Sequence, residues 1–383
     1  MSITAPQGFR ASGVAAGLKS DGGKDVALVV NDGPVAAAAG VFTSNRVKAA
    51  PVLWSQQVLR GGLVRAVVLN SGGANACTGP AGFQDTHATA EKVASLLGIG
   101  AGEVAVCSTG LIGERLPMDK LSAGVSSAVD GLSGDAGADA AEAIMTTDVR
   151  LKTTVVTANG WCVGGMAKGA GMLAPGLATM LVVLTTDAVA DQSTLDGVLR
   201  AATRVTFDRL DSDGCMSTND TVLLLASGAS GVAPDPAELA DVVTAACREL
   251  ARQLMSDAEG ATKDIAIEVT GAASEDDAVT VGRGIARNNL VKTALFGNDP
   301  NWGRILAAVG TTDAAFDPEA LDVAVNGVWV CKGGAAAEDR GKVDLAGRAV
   351  TITVDLHEGT ATATIWTNDL SYGYVHENSA YST

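Results

Sequence analysis

Segments with strand-like and helix-like apolar patterns follow one another along this chain in a mixed order, without the strict alternation that a doubly wound parallel sheet requires. Short β-branched or alternating runs predict strands over residues 26–30, 35–41, 64–69, 104–107, 265–269, 323–329, 350–356 and 360–366. Apolar residues at helical spacing predict helices over residues 85–97, 236–257, 276–295 and 302–309. We therefore predict an α+β fold in which mixed sheets are layered with helices and packed as one compact unit.

A turn sequence separates the first two predicted strands. Asn31, Asp32, Gly33 and Pro34 lie between residues 26–30 and residues 35–41. These residue types favour reversal of the chain, since glycine and asparagine tolerate unusual backbone angles and proline fixes one of them. The pattern predicts that the two strands form a β-hairpin.

Composition and charge exclude several classes of protein. The chain has 383 residues, of which 47% are hydrophobic and 18% charged, so it can bury a large core and is not predicted to be disordered. Its apolar runs are too short to span a bilayer. A net charge of −16 repels phosphate backbones, which argues against nucleic acid as a partner. The N-terminus lacks the basic and apolar parts of a secretory signal, so we expect a cytoplasmic protein that acts on small molecules.

The cysteines and histidines are not arranged as metal ligands. The six cysteines contain no C-x-x-C pair, and the three histidines form no cluster near them. A structural zinc site needs such spacing. We expect no metal site, and we expect the cysteines to be free thiols.

Two segments stand out for small and polar residues. Ser108, Thr109 and Gly110 follow a predicted strand, and such residues at a strand end are typical of a site. A second segment, residues 164–184, joins a glycine-rich loop to an apolar run that contains Thr179. Residues 169–174 fit a dinucleotide fingerprint loosely, but Pro175 follows where a helix would have to continue. From the residues alone, this segment is a structural turn and Thr179 an ordinary β-branched strand residue.

Several sequence blocks together resemble the ornithine acetyltransferase family, also called the bifunctional glutamate N-acetyltransferases of arginine biosynthesis. The blocks span nearly the whole chain in the order found in that family. They are Asn70-Ser71-Gly72-Gly73-Ala74-Asn75, Ser108-Thr109-Gly110-Leu111-Ile112-Gly113, Met145-Thr146-Thr147-Asp148, Lys168-Gly169-Ala170-Gly171-Met172-Leu173-Ala174-Pro175, Ala178-Thr179-Met180-Leu181, Asn298-Asp299-Pro300-Asn301-Trp302-Gly303-Arg304 and Glu377-Asn378-Ser379-Ala380-Tyr381.

The resemblance implies a layered α/β/β/α arrangement and a chain that cuts itself between Ala178 and Thr179. Residues 1–178 and 179–383 would then be two pieces that fold together. The freed Thr179 would act as nucleophile through its hydroxyl group. Its new α-amine has a pKa of roughly 7.7–8.0, so part of it is neutral near pH 7 and can act as base.

The same resemblance implies roles for further residues. Thr109 and Gly110 correspond to the pair that stabilises the oxyanion during acyl transfer. Lys168 would meet a substrate carboxylate and Glu259 an ammonium group, although the commoner roles of such residues are a solvated surface charge and a helix-end acid. The residues that the resemblance assigns to substrate binding are Thr147, Lys168, Thr179, Glu259, Asn378 and Thr383.

The implied reaction moves an acetyl group from N-acetylornithine to glutamate through an acetyl-Thr179 intermediate, with ping-pong kinetics. No metal or organic cofactor is implied, and acetyl-coenzyme A stays open as a second acetyl donor. The resemblance also suggests an assembly with two copies of each piece. Two alternatives remain: an autoprocessing aminopeptidase or amidase that passes the acyl group to water, and an uncleaved small-molecule-binding protein.

Overall fold

The computed structural model describes residues 2–174 and 180–380. In these two ranges the chain forms fifteen strands, numbered in chain order. They are β1 (Phe9–Val14), β2 (Val26–Asn31), β3 (Ala37–Phe42), β4 (Ala66–Asn70), β5 (Val104–Ser108), β6 (Lys152–Thr157), β7 (Cys162–Lys168), β8 (Leu181–Thr186), β9 (Thr221–Ala226), β10 (Asp264–Ala272), β11 (Asp322–Val325), β12 (Val328–Lys332), β13 (Ala335–Ala336), β14 (Ala349–Asp355) and β15 (Ala361–Asn368).

The same two ranges contain ten α-helices and three short 3₁₀ turns, at Ala101–Glu103, Phe207–Arg209 and Arg340–Lys342. None of the helices in this described part of the chain is long and apolar enough to cross a membrane. The helices are α1 (Ala50–Leu59), α2 (Gly79–Leu97), α3 (Met118–Asp130), α4 (Gly137–Ala143), α5 (Gln192–Arg204), α6 (Pro236–Ser256), α7 (Glu275–Ala286), α8 (Asn289–Phe296), α9 (Trp302–Val309) and α10 (Tyr372–Ala380).

Two sheets form the centre of the molecule. The first has four strands in the order β1-β2-β4-β5, in which only the β4–β5 pair is parallel. The second has five strands in the order β3-β9-β8-β7-β6, in which only the β8–β9 pair is parallel. Strands from residues before 175 and after 179 therefore pair within the second sheet.

The two sheets pack face to face between two helical layers. Successive residues of a strand point to opposite faces, so Val29 of β2 faces the second sheet while Leu28 faces α2 and α3. In β8, Val183 faces the first sheet and Val182 faces α5 and α6. The layers thus run from α2 and α3 through the first and second sheets to α5 and α6, which confirms the predicted α/β/β/α arrangement.

A third sheet completes the molecule. Its six strands run in the order β13-β12-β11-β14-β10-β15, and α7, α8 and α9 cover one face. Trp366 of β15 packs against the apolar core between the second sheet and its helices. A main-chain hydrogen bond is made at the same place, since Asp211 N–H donates to Trp366 O at 2.8 Å. The third sheet is therefore joined to the layered part through packing and hydrogen bonds.

The predicted hairpin over residues 26–41 is wrong. Strand β2 pairs with β1 and β4 in the first sheet, whereas β3 pairs with β9 in the second. The loop between them does not reverse the chain, because residues 26–31 and residues 36–38 both run antiparallel to the same segment, residues 62–70. It carries the chain from one sheet to the other. At this point Asn31 Nδ2 donates to Ala226 O, at the end of β9, at 3.0 Å. This hydrogen bond joins the end of β2 to the second sheet.

Two other boundaries differ from the prediction for local reasons. The helix predicted over residues 276–295 is two helices, because the Asn288 side chain accepts hydrogen bonds from Leu290 N (3.0 Å) and Val291 N (3.2 Å) and begins a new helix. The strand predicted over residues 323–329 is the β11–β12 hairpin. Asn326 and Gly327 form its turn with φ of 46° and 81°, as a tight hairpin requires.

Candidate active site

One cavity of about 110 Å³ lies where the ends of several strands of the two central sheets meet. Six of the nine residues predicted for the site line it. They are Thr109, Gly110, Thr147, Lys168, Glu259 and Asn378. The other three, Ala178, Thr179 and Thr383, lie outside the described residues.

Thr109 and Gly110 follow β5 and are held against the loop that follows β4. Thr109 N–H donates to Asn70 O at 3.0 Å, and Gly73 N–H donates to Thr109 O at 2.9 Å. Gly110 has φ of 129°, and a β-carbon there would lie 2.5 Å from Gly73 N. Only glycine fits this close approach, since any side chain would collide with backbone. The two loops thus fix the backbone of the predicted oxyanion pair.

Lys168, the last residue of β7, is buried rather than solvated: it is 2% exposed. Its Nζ donates to Thr109 Oγ1 at 3.2 Å, and it forms no ion pair within 4 Å with any of the described residues. Because an ammonium group can only donate, the Thr109 hydroxyl is the acceptor and keeps its own proton free to donate into the cavity. Burial is the main reason that the Lys168 pKa is lowered.

Glu259 follows α6 and joins the remaining predicted residues. Its Oε1 accepts a hydrogen bond from Thr147 Oγ1 at 2.7 Å, and its Oε2 accepts one from Asn378 Nδ2 at 3.0 Å. Its backbone N–H donates to Ala170 O at 2.9 Å. A β-carbon at Gly171 would lie 2.6 Å from this carboxylate, so the glycine makes room for it. Glu259 is therefore built into the cavity wall.

A buried charge triad supports this wall from behind. Lys152 Nζ lies 2.5 Å from Asp148 Oδ1 and 2.5 Å from Asp257 Oδ2, and all three side chains are fully buried. Asp148 also accepts Gly169 N–H at 2.7 Å. Burial alone would raise the Asp148 pKa, but Lys168, Lys152 and the Gly169 N–H together lower it below its usual value. The triad ties the segment that carries Thr147 to the start of the glycine-rich loop.

The sequence did not identify two parts of this site. The triad depends on Asp257, which is 105 residues from Lys152 in the chain and has no local signal. The other part is Ser217, Thr218 and Asn219, which line the cavity just before β9. Asn219 Nδ2 donates to Ala74 O at 2.6 Å and to Ser108 O at 2.8 Å, joining three loops. The available signal was a run of polar residues next to an apolar strand: it precedes β9 here, whereas Thr109 and Gly110 follow β5.

The charges that line the cavity are few. Among the described residues, Lys168 supplies its single positive charge and Glu259 its single negative charge. The described residues also contain no group of three or more histidine, cysteine, aspartate or glutamate side chains that could hold a metal ion. One cation and one anion, with hydroxyl and backbone donors between them, match the charges of a small amino acid.

Known proteins resemble this chain over its full length. Residues 10–383 match the ArgJ family. The arginine biosynthesis bifunctional protein ArgJ of Streptomyces avermitilis is 71% identical over 383 residues, which is 100% of both chains. The corresponding protein of Streptomyces coelicolor is 68% identical, again over 100% of both chains. A solved structure of arginine biosynthesis bifunctional protein ArgJ from Bacillus halodurans is 39% identical and covers 52% of this chain and 98% of its own, with a TM-score of 0.50.

Proposed function

Because this chain belongs to the ArgJ family, we propose that it is a self-cleaving N-acetyltransferase of arginine biosynthesis that moves acetyl from N-acetylornithine to glutamate. The observation that carries the proposal is the single cavity in which Thr109 and Gly110 lie beside one buried cation, Lys168, and one fixed anion, Glu259. Donor and acceptor share an α-carboxylate that Lys168 can bind, whereas the side-chain ammonium group that Glu259 can bind is present only in N-acetylornithine.

The nucleophile in this proposal is Thr179. It is bonded to Met180, which is buried directly before β8, and the first residue of β8, Leu181, pairs with Lys168 of β7. The chain on either side of the proposed cut therefore adjoins the cavity. Cleavage before Thr179 would leave its α-amine beside its hydroxyl group, so one residue supplies base and nucleophile.

The length of a relative supports the cut. The solved Bacillus halodurans chain is matched over 98% of its length by 52% of this chain, so it is about half as long. A cut before residue 179 would likewise divide this chain near its middle. The pieces 1–178 and 179–383 would stay together, because β3 and β7 from the first pair with β9 and β8 from the second.

The chemistry then proceeds in two halves. The Thr179 hydroxyl attacks the acetyl carbonyl of N-acetylornithine while its α-amine takes the proton, and the Thr109 hydroxyl with the Gly110 N–H stabilises the oxyanion. Ornithine leaves with that proton, which gives acetyl-Thr179. The amine of glutamate then attacks the ester carbonyl by the reverse steps. N-acetylglutamate is released and the Thr179 hydroxyl is restored. Lys168 binds the carboxylate and Glu259 the ammonium group of the substrate, with Thr147, Asn378 and Thr383 completing the binding site.

The test is a transfer assay with purified protein. With N-acetylornithine and glutamate supplied, we expect N-acetylglutamate and parallel double-reciprocal plots at several fixed donor concentrations. Thr179→Ala should abolish transfer and remain one chain by intact mass spectrometry. Thr293→Ala, at an exposed threonine of α8, is the matched control and should behave as the native protein. Intersecting plots, or an active preparation that contains only intact chain, would overturn the proposal.

Three further parts of the proposal and its amidase alternative have separate tests. The word bifunctional in the names of the relatives supports acetyl-coenzyme A as a second donor, which is tested by N-acetylglutamate formation from acetyl-coenzyme A and glutamate. Acetate release without glutamate at the rate of transfer would instead favour an amidase. An assembly of two copies of each piece is tested by native mass spectrometry, and the cytoplasmic location by cell fractionation.

A further inference from the structure

Asp220 is a buried acid that the predicted site does not use. It directly precedes β9, and its side chain is completely buried. Its Oδ1 accepts a hydrogen bond from Met180 N–H at 3.1 Å. Its Oδ2 has no hydrogen-bond partner among the described residues. A buried carboxyl oxygen without a partner is expensive unless it carries a proton or meets a group that needs one.

The surroundings of Asp220 favour the neutral acid. Burial raises the pKa of its carboxyl well above the usual value near 3.8. The Met180 N–H, the hydroxyl groups of Ser217 and Thr43 and the ammonium group of Lys168 oppose this shift but do not cancel it. Among the described residues, the titratable groups that interact with Asp220 include the ammonium group of Lys168 and the thiol of Cys215. The carboxyl therefore holds a proton to a higher pH than an exposed aspartate does.

Asp220 binds the backbone of Met180, the residue that is covalently bonded to Thr179. The nitrogens of Thr179 and Met180 are separated by three bonds of about 1.5, 1.5 and 1.3 Å, so they are less than about 4 Å apart in every backbone conformation. Asp220 already holds the Met180 nitrogen. The nitrogen that must be released when the bond between Ala178 and Thr179 breaks is therefore less than about 4 Å from a nitrogen that Asp220 binds.

We propose that Asp220 supplies the proton that the Thr179 nitrogen needs during self-cleavage. The inference rests on the cleavage contained in the proposed function. In this step the Thr179 hydroxyl oxygen bonds to the Ala178 carbonyl carbon, and the bond from that carbon to the Thr179 nitrogen breaks. Asp220 gives its proton to the departing nitrogen and takes up the proton lost by the hydroxyl. Water then hydrolyses the ester, which leaves the Ala178 carboxylate and restores the Thr179 hydroxyl.

Asp220→Asn separates this role from a structural one. Asparagine keeps an oxygen that can accept the Met180 N–H bond, but it has no proton that it can transfer to an amine. General acid catalysis contributes typically 10²–10⁴-fold, so we expect cleavage to slow at least 100-fold while the melting temperature changes little. Asp220→Glu restores a transferable proton and should recover part of the rate.

The control is Asp187→Asn at the opposite end of β8. Asp187 is also a buried aspartate that accepts backbone hydrogen bonds, from Cys162 N at 2.9 Å and Gln7 N at 3.1 Å. It has no access to the proposed cleavage point, so this variant should be cut at the native rate. Cleavage is followed by intact mass spectrometry of freshly synthesised full-length chain.

A second measurement covers the case in which Asp220→Asn fails to fold. The cleavage rate of the native chain should fall as pH rises through the pKa of Asp220, because the proton is then lost. Lys168→Met removes a nearby positive charge and should move this fall to higher pH. If Lys168 were the acid, the fall would vanish.

The outcomes are distinguishable from failure of the proposed function. If the native chain is never cut, the proposed function fails as well. If the native chain is cut and Asp220→Asn is cut within threefold of its rate, only the role of Asp220 is overturned. A native rate that does not change between pH 5 and pH 9 would overturn it too.

Discussion

Replacing Lys152 by methionine tests whether the buried charge triad supports the active-site wall. Methionine has similar length and is apolar, so the substitution removes the charge and leaves two buried carboxylates, Asp148 and Asp257, without their shared partner at 2.5 Å. Breaking a buried pair by removing one partner costs about 3–5 kcal/mol, because a buried charge loses its partner. Asp257 keeps Arg150, whose Nε lies 3.3 Å from Asp257 Oδ1, so the loss falls mainly on Asp148. We therefore expect Lys152→Met to lower the free energy of unfolding by about 4 kcal/mol.

That free energy converts to a measurable shift in melting temperature. Unfolding entropy near 60 °C is about 2.1 cal/mol/K per residue, or about 0.8 kcal/mol/K for 383 residues. A loss of about 4 kcal/mol then lowers the melting temperature by about 5 °C, measured by differential scanning calorimetry at pH 7.5. The KM for N-acetylornithine should also rise, because the triad fixes the segment that carries Thr147 against Glu259.

The destabilisation caused by Lys152→Met should depend on pH, in a direction set by the ionisation of Asp148. The lowered pKa of Asp148 means that its ionised form stabilises the native protein above the unfolded pKa of about 3.9, and that this contribution is lost only as pH falls through the lower folded value. Without Lys152, burial opposes the ionised form more strongly. The difference in melting temperature between native protein and variant should therefore be larger at pH 7.5 than at pH 5.

Lys342→Met is the matched control, since Lys342 pairs with Glu338 at 3.1 Å on the surface. Exposed pairs of this kind contribute little, so no shift should be measurable. Equal melting temperatures for the two variants would refute the reasoning, because a buried lysine would then contribute no more to the free energy of unfolding than an exposed one.

Further substitutions address the cavity itself. Glu259→Gln should raise KM about 10- to 150-fold with a smaller change in kcat, as expected for a lost hydrogen bond to a charged group worth about 1.5–3 kcal/mol. Gly110→Ala should reduce kcat about 10²- to 10³-fold, because its β-carbon would collide with Gly73 N, whereas Gly102→Ala meets nothing within 4 Å and should be neutral. The lowered pKa of Lys168 predicts that KM rises with pH below the usual lysine value near 10.5, and Lys168→Arg should remove that rise.

Local patterns predicted those parts of the fold that depend on neighbours in sequence. The helix predicted over residues 236–257 is α6, which begins where the Asp235 side chain accepts Ala237 N–H at 2.8 Å. The hairpin over residues 26–41 failed for the opposite reason. Its turn residues are compatible with a hairpin, but the partner of β3 is β9, nearly 200 residues later. Pairing at that separation leaves no local pattern.

In the site too, some residues can be predicted from the local sequence and others cannot. Thr109 and Gly110 carry a local signal, since polar and small residues follow a buried strand. Lys168 carries no local signal, because most lysines lie at the protein surface. It is buried beside Thr109 only because β7 pairs with β8. Asp220 is placed in the same way, by pairing of β9 with its neighbours, so its role depends on contacts that no sequence window contains.

The second sheet also explains how cleavage could free the Thr179 amine without disrupting the fold around it. The proposed cleavage point precedes β8, the middle strand of the second sheet, which is hydrogen-bonded to β7 on one side and β9 on the other. Breaking one peptide bond there releases an amine but leaves both ladders intact. The cavity needs residues from both sides of the cut, from Ala74 to Asn378, so it exists only after folding. Cleavage should therefore follow folding, and variants that weaken this sheet should accumulate as intact chains rather than as separated pieces.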